Sequence, residues 1–120
     1  MKILLVEPDE YYHSQFITHT SDLGELAITS NAGEARELIA KTNPDVIVLE
    51  LLLSDGPAYK LLEEMNKDRR KFIPTIIFSK INNPEDIEAA LNLGANGYFV
   101  KGRDTIHDIK KLLLTYKNDI

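Results

Sequence analysis

Four side chains able to do chemistry occupy equivalent places in this sequence: Glu7, Glu50, Ser79 and Lys101. Each stands directly behind a short apolar run, "ILLV", "VIVL", "TIIF" or "YFV". Two carboxylates, a hydroxyl and an ammonium drawn to one rim outline a site for an anion or a metal ion. The carboxylates suit a cation, and the hydroxyl and ammonium suit anionic oxygens. Pro8, Asp9 and Glu10 follow Glu7, and Lys80 and Gly102 follow Ser79 and Lys101. Glu50 is the odd member, a lone carboxylate with Leu51, Leu52 and Leu53 behind it.

The elements that must bring these residues together are legible in the spacing. Ile3–Val6, Leu26–Ile28, Val46–Leu49, Thr75–Phe78 and Tyr98–Val100 are short and mostly Val- and Ile-rich, the pattern of strands buried on both faces. Between them lie stretches with helical spacing. "AGEARELIAK" aligns Ala35, Leu38 and Ile39 behind Asn31 as cap, and "PAYKLLEEM" aligns Ala58, Leu61, Leu62 and Met65. "NPEDIEAALNLG" opens on Asn83 and Pro84 and closes at Gly94 as C-cap. "RDTIHDIKKLLLTY" puts Ile106, Ile109, Lys110 and Leu113 on one stripe with Asp104 as its cap. The weakest helix, "DEYYHSQFITHTSDLG", carries Thr18, Thr20 and Ser21; Tyr12, Phe16 and His19 or Thr20 form its face, and Gly24 its end. Five strands alternating with five helices predict an α/β fold with a parallel sheet and right-handed crossovers. In open sheets of this kind the site lies at the carboxyl ends of the strands, where all four residues stand.

The stretches "KILLVEPDE", "PDVIVLELLL", "PTIIFSK" and "LGANGYFVKG" resemble, in register along the whole chain, the response-regulator receiver family. The resemblance implies a flavodoxin-like (βα)5 three-layer sandwich, its parallel five-stranded sheet ordered 2-1-3-4-5, with residues 1–120 as one domain. In that family an acidic pair after the first strand holds Mg²⁺, and an aspartate after the third accepts a phosphoryl group from a histidine kinase. A Ser or Thr after the fourth strand and a Lys after the fifth bind the phosphoryl oxygens. An aromatic residue three positions before that Lys acts as a switch. Carried over, Glu7 is the first acid, Ser79 the hydroxyl, Lys101 the lysine and Tyr98 the switch aromatic.

Two positions depart. Pro8 stands where the second acid, the direct Mg²⁺ ligand, belongs, and Glu50 stands at the phosphoacceptor. Asp9 is one residue too far along and reads as a helix cap. The loop is also shorter: Gly56 lies six residues beyond Glu50, where the family has glycine eight beyond. Pro8 brings neither a side-chain oxygen nor an N–H, and Mg²⁺ demands near-octahedral oxygen ligands. The expectation is therefore no cofactor, with Mg²⁺ binding lost or weak, and no enzyme activity. Glutamate is one methylene longer than aspartate, which misplaces it for in-line attack and lets it reach toward Lys101 or Ser79. The expected function is a receiver-like phosphorelay module, not phosphorylated by the usual route, acting through protein contacts. Whether Glu50 stands in permanently for a phosphorylated aspartate or is an inert, partly solvated carboxylate stays open. The alternative is a working phospho-receiver with a non-standard site.

Composition narrows the rest. The net charge is −5, where a nucleic-acid module would show a basic patch; Lys67–Lys71 reads as a solvated loop. No cysteine is present, which removes disulfides, thiolate metal sites and thiol nucleophiles. No apolar run nears the ~20 residues a membrane helix needs, so the expectation is a cytoplasmic protein that touches neither membrane nor nucleic acid. His13, His19 and His107 fall on different helices and read as surface residues. No GxGxxG or P-loop appears, "GANG" follows a helix, and the acidic "EPDEYY" would repel a flavin phosphate. The family implies a protein partner on the helix 4–strand 5–helix 5 face. Asn96 and Gly97 stand where its dimer-forming members carry acids, and the oligomeric state is left open.

Overall fold

The computed structural model describes residues 1–67 and 72–119, so most of the basic stretch Lys67–Lys71 lies outside the described residues. Five strands form one parallel sheet: β1 (Lys2–Val6), β2 (Glu25–Thr29), β3 (Val46–Leu49), β4 (Thr75–Ser79) and β5 (Gly97–Val100). Their order is β2-β1-β3-β4-β5, as the sequence predicts. The three central strands are almost wholly buried, and the edge strands β2 and β5 are half-buried. That division follows composition. "VIVL" and "TIIFS" offer apolar side chains to both faces, whereas an edge strand needs fewer.

Side-chain alternation splits the core into two layers. Leu4, Val6, Ile47, Leu49 and Ile77 point to one face. There they meet α2 (Ala32–Thr42), α3 (Tyr59–Lys67) and α4 (Pro84–Asn92) through Ala35, Leu61, Leu62 and Ala90. Ile3, Leu5, Val46, Val48, Ile76 and Phe78 point to the other. There they meet α1 (Glu10–Thr20) and α5 (Ile106–Asn118) through Phe16, Ile106, Ile109 and Leu113. The result is the helix–sheet–helix sandwich. All five strands run the same way, so their carboxyl ends share one rim.

The caps fix where each helix leaves that rim. Asp9 caps α1 by accepting from the Tyr11 N–H, Asn31 caps α2, and Asn83 caps α4 with Pro84 in its first turn. One expectation is corrected. Thr105, not Asp104, caps α5, in a reciprocal box with Asp108. Asp104 instead accepts from the Val100 N–H at 2.7 Å and pins the turn after β5. Two helix ends also shift. Leu93 is the C-cap of α4 and Gly94 follows it at φ +109°, a backbone region glycine enters at little cost. α1 ends at Thr20, so Gly24 belongs to the approach to β2.

The β3–α3 connection holds structure too short to show in periodicity. Leu52–Leu53 and Gly56–Pro57 pair antiparallel around Ser54 and Asp55. The Asp55 carboxylate accepts from the Ala32 and Gly33 N–H groups at 2.9 and 3.2 Å, and Ser54 N–H donates to the Ser30 carbonyl. These amides at the start of α2 have no intrahelical partner, and a carboxylate is favoured there. The shortened loop is thereby clamped onto α2.

Candidate functional site

Glu7, Glu50 and Lys101 meet at the rim. β1 and β3 are neighbours, and β5 delivers Lys101 from across β4. The Lys101 ammonium lies 2.5 Å from Glu7 Oε1 and 3.1 Å from Glu50 Oε1. The other two carboxylate oxygens are also taken. Asp9 N–H donates to Glu7 Oε2 at 3.0 Å, and Leu51 N–H donates to Glu50 Oε2 at 2.7 Å. The strand ends are anchored as well, by Glu7 N–H to the Thr29 carbonyl and Glu50 N–H to the Val6 carbonyl.

Of the alternatives left open for Glu50, a partly solvated carboxylate is not what the structure shows. Its side chain is 6% exposed, that of Glu7 2% and that of Lys101 3%. Leu51 and Leu53, which follow it, are buried too, and the loop they enter is tied to the start of α2 through Asp55. Burial pushes the Glu7 carboxyl above its ordinary range, against the pull of Lys101. Burial works to lower the Lys101 pKa, but hydrogen bonds and attraction from Glu7 and Glu50 outweigh it and hold the pKa up. Two carboxylates and one ammonium leave a formal charge of −1 in a buried site.

Ser79 is fully buried at the same rim, and its hydroxyl accepts from the Ile81 N–H at 3.2 Å. Of the two partners its length gave Glu50, the structure supplies Lys101. Tyr98 is half-buried, and its hydroxyl donates to the Ile81 carbonyl at 2.6 Å. Burial first, then the negative potential of Tyr59, Glu50 and Asp86, pushes its phenol up to about 12. Ser79 and Tyr98 thus hold the same β4–α4 loop from two sides. Pro8 sits half-buried beside Glu7.

Three contributors escape sequence reasoning. Tyr12 presents its ring 4.4 Å from the Lys101 ammonium, with Phe78 further off at 5.7 Å. His13 Nε2 lies 2.5 Å from the Glu7 carbonyl oxygen. Asp55 ties the loop that follows Glu50 to the start of α2. For Tyr12 a signal existed, the four-residue spacing from Phe16 on one helix face. Nothing in the sequence tied that face to a charge. Among the described residues, no three His, Cys, Asp or Glu side chains are grouped to hold a metal ion, and no helix is long and apolar enough to cross a membrane.

The sequence and the fold both resemble known proteins. A sequence model of the response regulator receiver domain matches residues 3–113. The nitrate/nitrite response regulator protein NarL of Escherichia coli is 33% identical over 101 residues, covering 82% of this chain and 45% of NarL. The chain spans less than half the length of the curated relatives it matches. A two-component response regulator from Clostridium difficile superposes with TM-score 0.81 at 27% identity, covering 96% of each chain. The BeF3-activated receiver domain of RstA from Klebsiella pneumoniae gives 0.84 at 19% identity, covering 97% of this chain and 98% of that one. The sheet order, the strand-end residues and a family match across nearly the whole chain converge: this protein belongs to the response regulator receiver domain family of two-component signalling.

Proposed function

We propose that this chain is a pseudo-receiver, a cytoplasmic signalling module that works through protein contacts without phosphorylation at Glu50. One observation carries the reading. Every oxygen of Glu7 and Glu50 already has a partner, and the ammonium that would receive a phosphoryl group is held between the two carboxylates. Phosphoryl transfer is mostly positioning and charge neutralisation. Here the nucleophile's position holds a longer carboxylate bonded to its own lysine, and the site already carries negative charge.

Mg²⁺ does not fit this donor set. Pro8 offers no side-chain oxygen, and both carboxylates are ion-paired with Lys101. A cation that sheds water reluctantly would have to displace that ammonium from both. The reading therefore includes no metal, no enzyme activity and no nucleic-acid or membrane contact.

The partner surface is the α4–β5–α5 face. Leu91 on α4 and Leu114 on α5 are exposed there, with Glu85 and Glu88 on α4 and Lys111 on α5. Tyr98, tied to the Ile81 carbonyl, holds the β4–α4 loop on one side of that face. Incubation with acetyl phosphate and Mg²⁺, read by intact mass, tests the reading. No phosphoryl adduct is expected; a stoichiometric one would establish a working phospho-receiver instead.

A further inference from the structure

An ammonium has three N–H donors. In this site two of them meet Glu7 and Glu50. The side chain is 3% exposed, so bulk water does not serve the third. What does stand beside it is the face of Tyr12, 4.4 Å from ring centroid to Nζ, within the range of a cation–π contact. The ring is oriented by its neighbours. Phe78 meets it edge-on at 5.2 Å and 86°, Tyr11 at 5.1 Å and 77°, and Phe16 backs Phe78 at 6.0 Å. Tyr12 and Phe16 lie one helical turn apart on the inner face of α1, so the orientation is built into that helix.

We propose that Tyr12 is a positioning residue that completes the shell of Lys101, leaving the ammonium no free donor for an incoming anion. The inference rests on the reading of a site closed by its own side chains, and it extends that closure to a third element, α1. Carboxylates alone would leave one N–H able to recruit water or a small oxyanion. The aromatic face satisfies that direction without an oxygen, which keeps the ammonium charged, dry and aimed at Glu7 and Glu50. The ring's negative face and the two carboxylates act on the same charge from different sides.

The test varies the ring's electrons at constant shape. In the full chain, Tyr12→Phe keeps the face. The same position carrying 4-fluoro- and then 3,4,5-trifluorophenylalanine drains it stepwise, and Tyr12→Leu removes it. The readout is the acetic anhydride labelling rate of each lysine at pH 9, resolved by peptide mass, with Lys60 and Lys111 as exposed internal standards. Only the free amine reacts, so between rings of one shape, which leave access to Lys101 alike, loss of cation–π stabilisation appears as rate. Lys101 is expected to label slowest, with little change in Tyr12→Phe and a stepwise rise through the fluorinated rings. The Leu variant should reach roughly threefold to thirtyfold over wild type. A steric role predicts one rate across the Phe and fluorinated variants. That flat series, or a Phe variant as fast as the Leu variant, overturns the proposal. The acetyl phosphate experiment reads separately: an adduct with ring-dependent protection intact refutes the pseudo-receiver alone, and a flat series without an adduct refutes Tyr12 alone.

Discussion

Lys101→Met removes one cation and retains most of the side-chain volume. It leaves Glu7 and Glu50 buried without a counter-charge, and the formal charge of the site goes from −1 to −2. Removing one member of a buried pair costs about 3–5 kcal/mol, because the remaining charge keeps its desolvation penalty. A domain of this size holds about 5–15 kcal/mol in all, so the variant should fold but lose about 10–20 °C in melting temperature. The loss should depend on pH in a definite direction. Burial already raises Glu7 above its ordinary value of 4.5, and without Lys101 it rises further. A carboxyl with a raised folded pKa binds more protons folded than unfolded, so stability falls as pH climbs from 4.5 through the folded value. Lys101→Met should therefore be closer to wild type at pH 5 than at pH 8. Urea unfolding at both values measures this, and Lys101→Met/Glu50→Gln should recover part of the loss. A cost below about 1 kcal/mol at pH 8 would refute the reasoning. So would equal costs at both pH values.

Other outcomes follow from the same geometry. In wild type the raised Lys101 pKa contributes stability that is complete below the unfolded value of 10.5 and lost as pH rises through the folded value; a melting series above pH 10 should show this limb, absent from Lys101→Met. Tyr98→Phe should cost about 1 kcal/mol for its bond to Ile81, and should delete the tyrosine that ionises at about 12 in an ultraviolet titration. Pro8→Asp with Glu50→Asp should bind Mg²⁺ calorimetrically and accept phosphate weakly, whereas neither single change should, because ligand and nucleophile act as a unit. A folded but inert double variant would assign the loss of chemistry to the loop clamped by Asp55.

The sheet order and helix placement were legible because alternating buried strands and amphipathic helices leave little topological freedom. The same logic placed Glu7, Glu50, Ser79 and Lys101 on one rim, since residues that end parallel strands must share an edge. Depth was not legible. Whether Lys101 is solvated depends on how Glu7, Glu50, Tyr12 and Phe78 gather around it from separate elements, a tertiary matter that no local pattern encodes. The α5 cap was misassigned because Asp104 and Thr105 are both cap-forming types; Asp108, three residues beyond Thr105, was the discriminating signal. The two-residue ladder around Ser54 and Asp55 falls below the length at which strand periodicity exists. Tyr12 was placed on the correct helix face, but a face read as apolar gave no hint of a buried cation.

The reach of Lys101 also bears on the order of assembly. Its bond to Glu50 spans 51 residues, and its bond to Glu7 spans nearly the whole chain, so neither forms until β5 has docked on β4. Contacts that close such long loops form late when shorter-range structure can form first. The β1–β3–β4 core and its helices can gather while both carboxylates are still hydrated. Docking of β5 then dries the rim and supplies the cation in the same movement. The ion-paired cluster is therefore expected to act as a latch on the completed sheet, outside its nucleus. Strengthening or weakening it should change how fast the native protein opens and leave folding from the unfolded chain nearly untouched. In stopped-flow chevrons, Lys101→Met should lift the unfolding limb alone; a matching drop in the refolding limb would place the cluster in the nucleus after all.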